Sequence, residues 1–293
     1  MPIEAEKFNG FNLEKDKLEK FKNFIMTGQE YQRTSFSRDP KVRSYVFKLK
    51  NDKKEIVYFG SSHINDPEDP LFENIKEEFE KAKPDMVYIE GWASINNKKD
   101  SIRNKMRKVS YLDMKLKSES HYVLKLAVEA GADFESPEPD FYQELLYQLD
   151  NGFSKKDIFS YYIYRVIDQY GRQHKDRSIK DCKKYLEPYF SEFYQESKWS
   201  TEEINLFKKE ILDELDVEDL EKHHVQVDPT SWEENEQTII NEVASNSTRF
   251  RDRYIFERIF EGLKKYNKIF VVYGSSHAVM QEPAFKELFS GAI

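Results

Sequence analysis

Lys268-Ile269-Phe270-Val271-Val272-Tyr273-Gly274-Ser275-Ser276-His277 is the stretch that decides the fold of this chain. An apolar run that stops at glycine reads as a core strand. A histidine three residues past that glycine then sits at the carboxyl edge of a sheet, where ligands bind in open α/β folds. The same tetrapeptide follows a second apolar run, Ile56-Val57-Tyr58-Phe59-Gly60-Ser61-Ser62-His63. Two histidines in one local context, near opposite ends of the chain, are expected to converge on one site. Only the strand-end tetrapeptide recurs, so the chain is no sequence-wide repeat.

Outward from these two strands the pattern is that of an α/β protein. Val42 to Leu49, a turn at Asn51-Asp52 and Glu55 to Gly60 read as a hairpin. Leu71 to Ala82 is an amphipathic helix, and Met86 to Glu90 is a short apolar strand. Strand, helix and strand at this spacing form a βαβ unit with parallel strands. A helix over Ser120 to Ala130 ends at Gly131, and Ala132 to Glu135 is a third, shorter strand. Phe141 to Leu149 is again helical. Near the N-terminus, Leu18, Phe21, Phe24 and Ile25 recur at helical spacing. After residue 228, Ser231 with Glu234 fits a capping box. The helix from there is expected to run to about Ala244, turn at Ser245-Asn246-Ser247 and resume over Thr248 to Tyr266. Glu282 to Phe289 closes the chain as a helix.

The expected architecture is a mixed, mostly parallel sheet flanked by helices, with an inserted helical subdomain. Residues 1–152 and 229–293 form the core, with an N-terminal helical segment. Residues 153–228, rich in Lys, Glu, Tyr and Phe and without a clear strand, form a helical insertion suited to a lid or an oligomer surface. The oligomeric state is not legible in its composition.

The 293 residues suffice for a sizeable core, and 34% of them are charged, above the usual quarter. A net charge of -8 gives no general reason to expect nucleic-acid binding. The basic stretch around Lys98-Lys99, Arg103, Lys105, Arg107 and Lys108 reads as a solvated helix face. Cys182 is the single cysteine, which excludes an internal disulfide and a cysteine-rich zinc site. No stretch approaches the roughly 20 apolar residues of a membrane span, and the first residues lack the pattern of a signal peptide. A cytoplasmic protein without membrane partners is expected.

His63 and His277 head the candidate site, since imidazole is the commonest metal ligand and titrates near neutrality. Ser62 and Ser276 bring hydroxyls and backbone N–H groups to the same edge and are the candidate substrate-binding residues. Glu90 follows an apolar strand, where a carboxylate needs a partner or a cation. Glu135 repeats that position on the third strand. Arg251 and Arg253, in Arg249-Phe250-Arg251-Asp252-Arg253-Tyr254, are placed to meet an anionic group or to pair along the helix with Asp252 and Glu257. His121, His174, His223 and His224 read as structural or surface residues.

These stretches resemble the TraB/GumN/TIKI superfamily, with ChaN and erythromycin esterase proteins as more distant relatives. The resemblance rests on GSSH ending at His63, Lys83-Pro84-Asp85-Met86-Val87-Tyr88-Ile89-Glu90, Arg251-Asp252-Arg253-Tyr254 and GSSH ending at His277. Order and spacing agree with the family pattern, over roughly 55–150 and 245–285. Phe250 stands where an acidic residue often precedes the arginine. The resemblance implies a metal-dependent hydrolase cleaving a peptide or amide bond of a peptide or small-molecule substrate. His63, Glu90 and His277 would hold a divalent ion (zinc, manganese or cobalt), Glu135 would be the general base, and Arg251 would stabilise the oxyanion. Three other readings stand beside it: a metal-free esterase built on the same residues, a non-catalytic binding protein for a haem-like ligand, and a pure interaction module.

Overall fold

A computed structural model describes residues 16–38, 44–62, 66–91, 93–173, 179–214 and 238–290. They fall into two compact units. One comprises the chain up to Glu138 together with Asp252 onward, and the other is Pro139–Arg251.

The first unit is α/β, as expected. Strand β1 (Ser44–Lys50) pairs antiparallel with β2 (Glu55–Ser61). The Asn51 side chain closes the hairpin by accepting from the N–H groups of Lys53 and Lys54 at 3.0 and 2.8 Å. Three further strands, β3 (Met86–Ile89), β4 (Asp133–Glu135) and β5 (Lys268–Gly274), complete a sheet ordered β1-β2-β5-β3-β4, parallel except for β1. The last strand in sequence is thus the middle one in space. It separates β2 from β3, so the expected βαβ unit has parallel strands that are not neighbours. A strand covered on both faces must be apolar throughout, which explains the unbroken run from Ile269 to Tyr273.

Alternation sorts the strand residues onto two faces. Val57, Phe59, Val87, Ile89, Phe270 and Val272 pack under helix α1 (Leu71–Ala82) and helix α4 (Glu119–Ala130). Between β3 and α4 run a 3-10 turn (Ala93–Asn97) and the helices α2 (Lys99–Met106) and α3 (Tyr111–Lys115). On the opposite face Ile56, Tyr58, Met86, Tyr88, Ile269 and Val271 meet side chains numbered 255–263 and 278–288 from the last two helices. Near the N-terminus the helix covers 16–22; Leu18 and Ile25 are buried as expected, but Phe24 is exposed.

The second unit is helical: α5 (Phe141–Asp150), α6 (Lys155–Gln173), α7 (Ile179–Ser197), α8 (Thr201–Glu214) and the start of α9 (Ile239–Lys265). Its core mixes aliphatic and aromatic side chains, among them Ile158, Phe159, Phe190, Phe193 and Trp199, with buried Cys182 in the same cluster. Burial pushes that thiol up to about 11, so Cys182 packs rather than reacts.

Two expectations are corrected. No turn interrupts residues 245–247, because α9 runs unbroken from Ile239 to Lys265. The Asn246 amide donates to Gln148 Oε1 at 2.7 Å and the Ser247 hydroxyl bonds Glu144. These polar side chains are satisfied by α5, so they do not compete for their own backbone. The terminal helix α10 starts at Ser275, not Glu282, and carries Pro283 within it. The expected capping box at Ser231 and Glu234 lies outside the described residues. Among the described residues no helix is long and apolar enough to cross a membrane.

Candidate active site

Parallel pairing of β2 with β5 sets the two glycine-serine stretches side by side. Gly60 faces Tyr273 and Ser61 faces Gly274, one residue out of step. Gly60 is required by close approach. A Cβ there would lie 2.8 Å from both the Ala278 Cβ and the Ser275 Cα, so the first turn of α10 could not pack over β2. His63 lies outside the described residues. Ser62 is exposed just before it, and Ser276 is half-buried in the first turn of α10. That turn leaves backbone N–H groups without helical partners, which favours negative charge beside it.

His277 is buried in the same turn, and its nearest charged partner is Asp252 on α9. Nδ1 lies 2.7 Å from Asp252 Oδ1. A carboxylate only accepts, so Nδ1 carries a proton. The same oxygen accepts from Gln281 Nε2 at 2.6 Å, and the Tyr58 hydroxyl donates to Gln281 Oε1 at 3.4 Å. The Tyr273 ring packs edge-on against the imidazole at 5.4 Å. Asp252 has no solvent exposure, and its Oδ2 has no hydrogen-bond partner among the described residues. A fully buried carboxylate with one oxygen unsatisfied is expensive.

Glu90 answers the question raised by its strand-end position. Its Oε2 accepts from the Gly274 backbone N–H at 2.7 Å, which ties the end of β3 to the second motif. Gly91 then turns with φ +86, a conformation that favours glycine.

Glu135 is held by Arg258. Both Nε and Nη2 of the guanidinium bond its Oε1, the former at 3.1 Å. Burial works against the charge on Arg258, but Glu135 outweighs it and raises the guanidinium pKa. Arg251 falls in the helical unit, about two turns before Arg258 on α9. The structure therefore brings His277, Glu90 and the serine stretches to one sheet edge, gives Glu135 an arginine partner, and leaves Arg251 in the other unit.

Sequence reasoning missed Asp252 as a site residue, together with Gln281 and Arg258. The signal for Asp252 was present: it shares the helical stripe of Ile255, Phe256, Ile259 and Leu263, all buried. An acid on an apolar stripe needs a buried partner.

No family model, no characterised protein and no solved structure matches this chain. The site must be read from its own chemistry. Among the described residues no group of three or more His, Cys, Asp or Glu is gathered to hold a metal ion. Yet His277 has the carboxylate partner on Nδ1 that metal-ligating histidines commonly have, Glu90 stands at the same edge, and the third expected ligand, His63, is outside the described residues. The donor chemistry fits a metal as well as it fits an acid–base pair.

Proposed function

We propose that the chain is a hydrolase in which His277, oriented by Asp252, acts at the carboxyl edge of the sheet on an amide or ester bond. The observation that carries this reading is the 2.7 Å contact between His277 Nδ1 and a fully buried Asp252. A buried carboxylate fixes the imidazole tautomer and stabilises the imidazolium formed when Nε2 takes a proton from water. Nε2 would then return that proton to the leaving group. The N–H groups at the start of α10 favour the negative charge that develops on the carbonyl oxygen. Glu135 is not the base in this scheme, because its Oε1 is taken up by the guanidinium of Arg258. Its pair with Arg258 frames the site instead.

A second reading, favoured by Glu90 at the same edge, keeps the metal that the family resemblance implies. His63, Glu90 and His277 would hold it, and it would supply a bound water of lowered pKa and a Lewis acid for the carbonyl. Asp252 would orient His277 in either case.

The test is hydrolysis of a peptide library and an ester panel by the wild type and His277→Gln, with and without a chelator, beside metal content by mass spectrometry. We expect His277→Gln to lose roughly 10²–10⁴ of kcat/KM. Chelator-sensitive activity with about one metal per chain selects the second reading, and chelator-resistant activity selects the first. Equal activity of wild type and His277→Gln would sink both.

A further inference from the structure

The basic stretch after β3 divides by helical face. Lys99 and Arg103, one turn apart on α2, both bond Asp133, at 3.0 and 2.8 Å, and lie over the Phe134 ring. They are accounted for as structural cations. Lys98 and Lys105, with Ile102 between them, recur at the spacing of another face and turn to a cleft of about 160 Å³.

The floor of that cleft is apolar, made by Ile95, Ile102, Met106 and Leu124. Its rim is cationic and polar: Lys98, Lys105, Lys117 and His121. None of the three lysines forms an ion pair within 4 Å among the described residues, Lys117 acting on the Asp113 carboxylate only through its field, although the chain carries a net charge of -8. His121 has its Nδ1 2.9 Å from the Ser118 hydroxyl. Burial, then Lys117 and Lys105, lower its pKa to about 4, so the ring is neutral near pH 7 and feels the field of both lysines. Here three lysines converge on an apolar hollow, where their mutual repulsion is relieved by an anion and the floor by an apolar group.

We propose that this cleft binds a small anion carried on a short apolar stem, a phosphate monoester fitting it best. Lysine serves phosphate as a point charge, and several lysines suit a dianion better than a carboxylate. The hollow holds roughly five water volumes, which limits the stem to a short alkyl chain or a single ring. Among the described residues no part of either GSSH stretch lines it, so the proposal does not depend on the hydrolase reading.

The test is calorimetric titration of the full chain with hexyl phosphate at low salt. Hexanoate, 1-hexanol, inorganic phosphate and anionic lipid vesicles serve as comparison probes. The variant is Lys105→Gln/Lys117→Gln, whose exposed side chains can be changed without touching the core. We expect one saturable site for hexyl phosphate, weakened about tenfold or more in the variant and by high salt. Hexanoate should bind more weakly, and hexanol and inorganic phosphate more weakly still. Undiminished binding in a folded variant would overturn the proposal. So would hexanol or inorganic phosphate binding as tightly as hexyl phosphate, binding to vesicles alone, or no saturable binding of hexyl phosphate at millimolar concentration.

Discussion

Two carboxylate clusters in the α/β unit solve burial in opposite ways. At β4, Asp133 and Glu135 are matched by cations: Lys99 and Arg103 on Asp133, and Arg258 on Glu135. Asp133 takes a further hydrogen bond from the Tyr266 hydroxyl at 2.9 Å. Beyond β5, Asp252 is more deeply buried, yet among the described residues it meets a histidine and an amide instead of a fixed cation, and one oxygen is unsatisfied. Matched charges build stability and leave nothing to exchange. Asp252 instead shares a proton with an imidazole, the pairing that general acid–base chemistry uses. Under the proposed function, the difference assigns chemistry to His277 and structure to β4.

The strongest way to break that contrast is to exchange the two clusters' roles in a kinetic assay. His277→Gln should lower kcat/KM by about 10³, close to 4 kcal/mol of transition-state stabilisation. Glu135→Gln should leave it within roughly threefold, less than 1 kcal/mol. A larger loss for Glu135→Gln than for His277→Gln would reverse the assignment.

Next in size is the packing that brings the two motifs together. Gly60→Ala puts a methyl 2.8 Å from the Ser275 Cα, with backbone on one side and a core alanine on the other. We expect about 1–3 kcal/mol of lost stability, read as a lowered midpoint in urea. An unchanged midpoint would show that α10 does not seat against β2 as closely as described.

The β4 cluster predicts a smaller, pH-dependent effect. Burial alone would raise the Asp133 pKa, but Lys99, Tyr266 and the Phe134 N–H outweigh it and hold the carboxyl below its usual range. A depressed folded pKa contributes stability that is fully present above the unfolded value of about 3.9. That stability is lost as pH falls through the folded pKa. Asp133→Asn should therefore lower stability at pH 7 by about 1 kcal/mol and flatten the acid limb of a melting-temperature profile below pH 4. Parallel acid limbs in the two proteins would contradict the pairing. The smallest expected effect is on Cys182. Its raised pKa predicts slow labelling by thiol reagents at pH 7 in the native state, and rapid native-state labelling would contradict its place in the helical core.

Much of this fold is legible in the sequence. The strands announced themselves because Ile56-Phe59, Met86-Ile89 and Ile269-Tyr273 are apolar runs too regular to misread. Strand order was not legible: nothing local in Ile269-Tyr273 says that it inserts between β2 and β3. The false turn at 245–247 arose from reading Ser-Asn-Ser by local propensity, while α5 supplies tertiary partners for Asn246 and Ser247. The start of α10 was missed because Gly274-Ser275-Ser276 reads as a loop and Pro283 as a boundary. At the site, the histidine motif and Glu90 could be found from strand ends. Asp252 was hidden among alternating arginines, although its place on an apolar stripe marked it. Arg251 was read from the alternating arginines at 249–253 and from the family resemblance; Arg258 carries no such local signal, and only the packing of α9 against the sheet makes it the partner of Glu135.

The measurement that tests the central claim most directly is the rate of amide and ester hydrolysis by Asp252→Asn beside wild type across pH 5–9, in protein shown to be folded. Asparagine keeps the shape of the side chain but removes the charge that fixes and stabilises His277. The account predicts a loss of roughly 10² or more at every pH, together with a histidine whose 15N resonances no longer report a single Nδ1-protonated tautomer. Wild-type rates in a folded Asp252→Asn protein would contradict it.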